Sequence, residues 1–100
     1  MKNHLLQQLQ DAKAANVLLD FRYSPDHDLI FIAFLPTTGY KTKLNLRDFL
    51  YTKYKFYGRF LDPSDRILML SDGRAYPRPT TTDREWMRSL NTTPQNPVPL

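Results

Sequence analysis

The run Leu29-Ile30-Phe31-Ile32-Ala33-Phe34-Leu35 is apolar without a break. Turn chemistry brackets it, with Ser24-Pro25-Asp26-His27-Asp28 before and Pro36-Thr37-Thr38-Gly39 after. So short a run between two turns reads as a strand. Successive side chains of a strand point to opposite faces, so a strand apolar at every position needs cover on both. A chain of 100 residues has few elements to provide two covers. An apolar sheet face left over would suit a protein partner.

The neighbouring segments alternate. Val17, Leu19, Phe21 and Tyr23 share one face against Leu18, Asp20 and Arg22. Tyr40, Thr42, Leu44 and Leu46 share one against Lys41, Lys43 and Asn45. Short connections favour antiparallel pairing. The pattern predicts a three-stranded antiparallel meander with residues 29–35 in the middle and Ile30, Ile32, Phe34 and Leu44 buried.

Helical spacing governs three other segments. Leu5, Leu9 and Ala12, widened by Leu6, predict a helix over residues 2–15 with Asn16 as a left-handed C-cap. Leu46, Phe49, Leu50, Tyr54 and Tyr57 form a stripe that predicts a helix over 46–57. Asn45 would be its N-cap, Asp48 would lie in its first turn and Gly58 would close it. The aromatic content of residues 51–60 pulls the other way, toward a strand. Thr82-Asp83-Arg84-Glu85 has capping-box spacing and opens a short helix through Leu90, with Trp86, Met87 and Leu90 on one side. Between these, Ser71-Asp72-Gly73 separates residues 66–70 from Arg74-Ala75-Tyr76 and predicts a hairpin, which Pro77-Arg78-Pro79 ends. The expected fold is α+β: an N-terminal helix, the three-stranded meander, a middle helix, a β-hairpin and a short C-terminal helix. Residues 1–90 form one small globular domain. Residues 91–100, with three prolines and no charge, read as a disordered or extended tail that the fold does not need.

Several chemistries lack the residues they require. The absence of cysteine removes disulfides and thiolates. No apolar run approaches the roughly 20 residues of a membrane span. Residues 1–15 hold no signal-peptide core, so a cytoplasmic location away from membranes is expected, and the sequon Asn91-Thr92-Thr93 then carries no weight. The three glycines are isolated at 39, 58 and 73, so no phosphate-cradling loop exists. Asp26-His27-Asp28 is the one acid–imidazole cluster and reads as an exposed turn, because neighbouring turn side chains diverge. His4 and His27 have no serine or acid at a spacing that implies a triad. No catalytic residue, cofactor or metal is assigned.

Charge distribution is the most informative functional signal. The net charge is +4. Residues 1–39 hold three cations and four acids, and residues 61–100 hold five of each. Residues 40–60 hold Lys41, Lys43, Arg47, Lys53, Lys55 and Arg59 against Asp48 alone, together with seven of the thirteen aromatics. Cations neutralise phosphates, and flat rings stack on unpaired bases. The first functional expectation is therefore a non-catalytic protein that contacts a polyanion, single-stranded nucleic acid or a nucleoprotein, through Lys41, Lys43, Arg47, Tyr51, Lys53, Lys55 and Arg59. On a strand over 40–46, Lys41 and Lys43 would point outward together. Within the window, YKFYGRF has the aromatics and glycine of a ribonucleoprotein-type strand motif but not its order, and so is not a match. The second expectation is a protein-interaction module, such as an inhibitor, adaptor or homodimer. It would use apolar sheet surface and an anchor of Trp86, Met87 and Leu90. The third is a metal-independent ribonuclease-type toxin working with Arg, Lys, Tyr and His.

Overall fold

A computed structural model describes residues 2–73 and 75–91. Its elements in chain order are α1 (Lys2–Ala14), β1 (Asp20–Ser24), β2 (Leu29–Ala33), α2 (Tyr40–Tyr54), β3 (Tyr57–Phe60), β4 (Ile67–Ser71) and α3 (Thr81–Asn91). The fold is α+β, as expected, around one antiparallel sheet of order β1-β2-β4-β3. β2 and β3 are each antiparallel to β4, so they run parallel to one another. Helix α2 joins them across the sheet, and β4 lies between them.

Every residue of β2 and β4 is buried. The register assigns their side chains to two cores. Ile30, Ile32, Leu68 and Leu70 meet Leu5 and Leu9 of α1 and Leu50 and Tyr54 of α2 on one face. Leu29, Phe31, Ala33, Ile67 and Met69 meet Trp86, Met87 and Leu90 of α3, with Tyr76, on the other. Both faces of the central strands are thus covered from within the chain.

Polar contacts lock the third helix to the sheet. Asp83 is fully buried. Its carboxylate accepts from Arg22 Nε at 2.8 Å, Ser24 Oγ at 3.1 Å and the Thr80 backbone N–H at 2.9 Å. Thr80 Oγ1 accepts in turn from the Asp83 N–H at 3.1 Å. The capping box is therefore Thr80 with Asp83, two residues before the expected one. Asp20 accepts from Trp86 Nε1 at 3.1 Å and pairs with Lys13 at 2.9 Å, joining α1, β1 and α3.

Helix ends follow local chemistry. Asn16 closes α1 at φ 60°, with Val17 N–H bonded to Ala12 O and Asn16 N–H to Lys13 O. That is the expected left-handed cap in Schellman form.

Four expectations are corrected. Residues 40–46 are helical, not a third meander strand, because α2 begins after Gly39 rather than Asn45. The helical stripe Lys43, Leu46, Leu50, Tyr54 outcompetes the period-two alternation, and Leu44 is consequently only half-buried. Asp48 therefore lies mid-helix. Second, Gly58 does not end α2; Lys55 does, and the aromatic stretch that argued for a strand becomes β3. Third, β4 does not turn at Asp72-Gly73 into a hairpin. β2 and β3 already occupy both of its edges, no glycine has positive φ, and residues 75–80 carry no strand. Fourth, β1 starts at Asp20, and the exit from α1 leaves Val17 and Leu19 exposed rather than on the buried face. Arg74 and the expected tail at 92–100 lie outside the described residues.

Two outcomes test this architecture. Ile32 is fully buried, and Ile32→Ala should cost about 2–5 kcal/mol in a denaturant melt. A midpoint equal to wild type would contradict its central place. For Asp83, burial raises the carboxyl pKa, but the bonds from Arg22, Thr80 and Ser24 outweigh it and hold the group below its usual value. A depressed carboxylate pKa adds stability above the unfolded value of about 3.9 and loses it as pH falls through the folded value. Asp83→Asn should therefore cost about 1.5–3 kcal/mol at pH 7. In chemical melts, the difference between wild type and variant should be full above about pH 4 and shrink progressively as pH falls below it, through the depressed folded pKa; a difference independent of pH would contradict the assignment.

Candidate nucleic-acid interface

Three sides of α2 do different work. Leu50 and Tyr54 enter the core, and Tyr54 Oη donates to Gln8 Oε1 at 3.1 Å. Lys43 lies on this buried side, 8% exposed, with Nζ 5.7 Å from the centre of the Phe34 ring. Its stem is packed and its charge reaches the rim. Lys41 lies exposed, separated from Lys43 by helical rotation rather than sharing a face with it. The outer sides carry Phe49 and Tyr51, 40% and 44% exposed, and Lys53.

Most cations of this region rest on rings. The Arg47 guanidinium lies 5.8 Å from the Phe60 ring centre, and that of Arg59 5.8 Å from Tyr76. Lys53 Nζ lies 5.8 Å from both Phe49 and Tyr54, and Lys55 Nζ 5.5 Å from Tyr51. Only one carboxylate approaches this group among the described residues, Asp48 at 3.7 Å from Arg47 Nε. Elsewhere, Lys2, Lys13, Arg22 and Arg66 pair with Asp28, Asp20, Asp83 and Asp62, and Arg84 bonds the Pro79 carbonyl. A ring face attracts a cation through its quadrupole but carries no opposite charge. Lys53, Lys55 and Arg59 are thus held beside rings without an acid partner among the described residues, and Asp48 answers Arg47 alone.

Helix and strand meet in a groove of about 260 Å³ lined by Arg47, Asp48, Tyr51, Tyr57 and Gly58. Gly58 permits the close approach. A Cβ there would lie 2.7 Å from Arg47 Cγ and 3.1 Å from methyls of Leu68 and Leu70. The Tyr51 and Tyr57 rings pack at 5.1 Å between centres, tilted by 53°. Lys55 caps α2 at φ 62°, a conformation that costs a non-glycine residue roughly 1 kcal/mol. That turn carries its side chain back over Tyr51. Across the strand, burial raises the Tyr76 phenol pKa, and the positive charges of Arg59 and Arg47 act against the rise.

The structure therefore brings Arg47, Tyr51, Lys55 and Arg59 together about β3, with Lys53 on the adjoining helix side. Lys41 stands a helix length away, roughly 20 Å along the axis from Lys55, and Lys43 is set apart by burial. Sequence reasoning missed Tyr57 and Tyr76 as ring partners. Tyr57 was assigned to a helix, and Tyr76 reaches Arg59 only through the path of residues 75–80 across the sheet. Asp48 was visible as the lone acid of its window but not as part of a groove.

The other expected sites are accounted for in the fold. Trp86 packs on Phe31 at 6.5 Å, and Met87 and Leu90 join the same core. Asp28, of the acid–imidazole cluster, is bonded by Lys2 and by Tyr23 Oη at 2.7 Å. His27 is exposed in the β1–β2 turn and His4 is exposed on α1. Among the described residues, no helix is long and apolar enough to cross a membrane. Comparison of the chain with protein-family models, with curated proteins and with solved structures gives no match in any of the three.

Proposed function

We propose that this protein is a non-catalytic binding protein that holds single-stranded nucleic acid on the surface formed by α2 and β3. The observation that carries the reading is the contrast in charge pairing. Lys2, Lys13, Arg22 and Arg66 sit on carboxylates, whereas Lys53, Lys55 and Arg59 sit on aromatic rings, and Arg47 sits on Phe60 with Asp48 at 3.7 Å. Such a surface offers a phosphate chain uncompensated charge and offers bases exposed ring faces, of which Tyr51 is the best placed. The strained cap at Lys55 also supports it, since an unfavourable backbone conformation retained beside a candidate site is a common mark of function. Lys41 extends the positive track along the helix; Lys43 is not part of the contact surface.

A second reading, the protein-interaction module, draws on a different place. An apolar cavity of about 260 Å³ is lined by Leu19, Ala33, Phe34, Pro36, Ile67 and Leu90, with Arg66 at its side. Val17 and Leu19, both exposed, lie at this end of the molecule. This reading would gain if nucleic acid failed to bind.

The test is fluorescence anisotropy with mixed-sequence single-stranded DNA and RNA. If three or four cations reach phosphates, the log–log slope of affinity against salt should be about −2 to −3. Lys53→Glu with Lys55→Glu should weaken binding and flatten that slope with little change in melting temperature, and Tyr51→Ala should cost about 1–3 kcal/mol of binding. Lys55→Gly should relieve the cap and leave the fold as stable or up to about 1 kcal/mol more stable, yet bind more weakly. No binding at tens of micromolar to either polymer would overturn the reading.

A further inference from the structure

The acid in the groove is unexpected on a surface built for phosphate. Asp48 is the only acidic residue between positions 40 and 60. Its side chain is 71% exposed, and its carboxylate accepts no hydrogen bond among the described residues. The Arg47 Nε, at 3.7 Å, lies beyond hydrogen-bond distance. It shares the groove with Tyr51, a residue 44% exposed whose ring packs against Tyr57 and has Lys55 Nζ 5.5 Å from its centre, so that a base stacking there meets the ring beside that cation. The arrangement has the parts of a base-reading subsite: a platform, a guanidinium beside it and an acceptor-only group at the wall.

We propose that this groove takes one unpaired guanine, stacked on Tyr51 with its Watson–Crick edge on Asp48; the proposal rests on the nucleic-acid reading above. A carboxylate can only accept hydrogen bonds. Guanine is the base whose edge offers two adjacent donors, N1–H and the N2 amine, to two carboxylate oxygens. Adenine and cytosine set an acceptor nitrogen beside their amine, and uracil flanks its single N–H with two carbonyls. Each of those edges brings a lone pair against the carboxylate. Single-stranded RNA is commonly read in this way, by stacking plus contacts to the Watson–Crick edge. Arg47, on the same wall, is placed to meet the phosphate next to the stacked base.

The experiment uses uridine octamers that carry one central guanosine, inosine or adenosine, titrated against the full chain by anisotropy. Inosine keeps N1–H but lacks the amine, so it removes one of the two bonds. The guanosine octamer should bind about tenfold more tightly than the inosine octamer, the effect of one charged hydrogen bond, and should exceed the adenosine octamer by more, because adenine also sets a lone pair against the carboxylate. Asp48→Ala, at an exposed helical position, should keep the wild-type melting temperature. It should bring the three octamers to within about twofold of one another, and should tighten the all-uridine octamer by removing a negative charge from the track. If all octamers bind wild type but guanosine has no advantage, or if its advantage survives in Asp48→Ala, guanine recognition is overturned while the nucleic-acid reading stands. If no octamer binds, both fall.

Discussion

A central strand with no polar face dictates the rest of this molecule. β2 places Ile30 and Ile32 on one side of the sheet and Phe31, with Leu29 and Ala33, on the other. Each face must be taken from water, and the described residues supply three helices for the purpose. Helices α1 and α2 cover one face and α3 the other. The same constraint explains the buried polar group. An acid fully enclosed as Asp83 is tolerable only when its charge is answered, and Arg22, Ser24 and the Thr80 N–H answer it where α3 meets β1. The apolar faces demand the third helix, and the carboxylate fixes where it begins.

With both faces occupied, what remains for recognition is the rim. Helix α2 lies close on β3 because Gly58 leaves room for it. That closeness brings Arg47 over the Phe60 ring of β3 and Tyr51 against Tyr57, while Lys53 and Lys55 lie over rings of α2 itself. The candidate surface is thus a by-product of the packing that makes the core, concentrated at one end of the sheet order, away from β1 and the Lys2–Asp28 and Lys13–Asp20 pairs.

Much of this was legible in the sequence, and the failures have physical causes. The two-faced strand, the first helix with its Asn16 cap, and the Trp86 helix all follow from periodicity, because burial of those side chains is decided locally. Residues 40–46 were misread because their polar and apolar residues satisfy both periods, and only the stripe running on to Leu50 and Tyr54 separates them. The Asp72-Gly73 turn was misread because local turn chemistry cannot register that β4 already has two neighbours. For the candidate site, the concentration of cations and rings was evident from counting, whereas their pairing was not. Lys43 and Lys53 are the same residue type ten positions apart on one helix, and only the fold sends one toward Phe34 and the other out to Phe49.

On the reading proposed above, the cations of α2 and β3 form the surface that meets a polyanion. The most direct measurement is an amide and indole chemical-shift map of the labelled protein titrated with a short single-stranded oligonucleotide at low salt. Shifts should be confined to Lys41, residues 47–60 and Tyr76, with the Trp86 indole N–H unmoved in its bond to Asp20. An unchanged spectrum, or shifts gathered instead around Val17, Leu19 and Leu90, would contradict that reading.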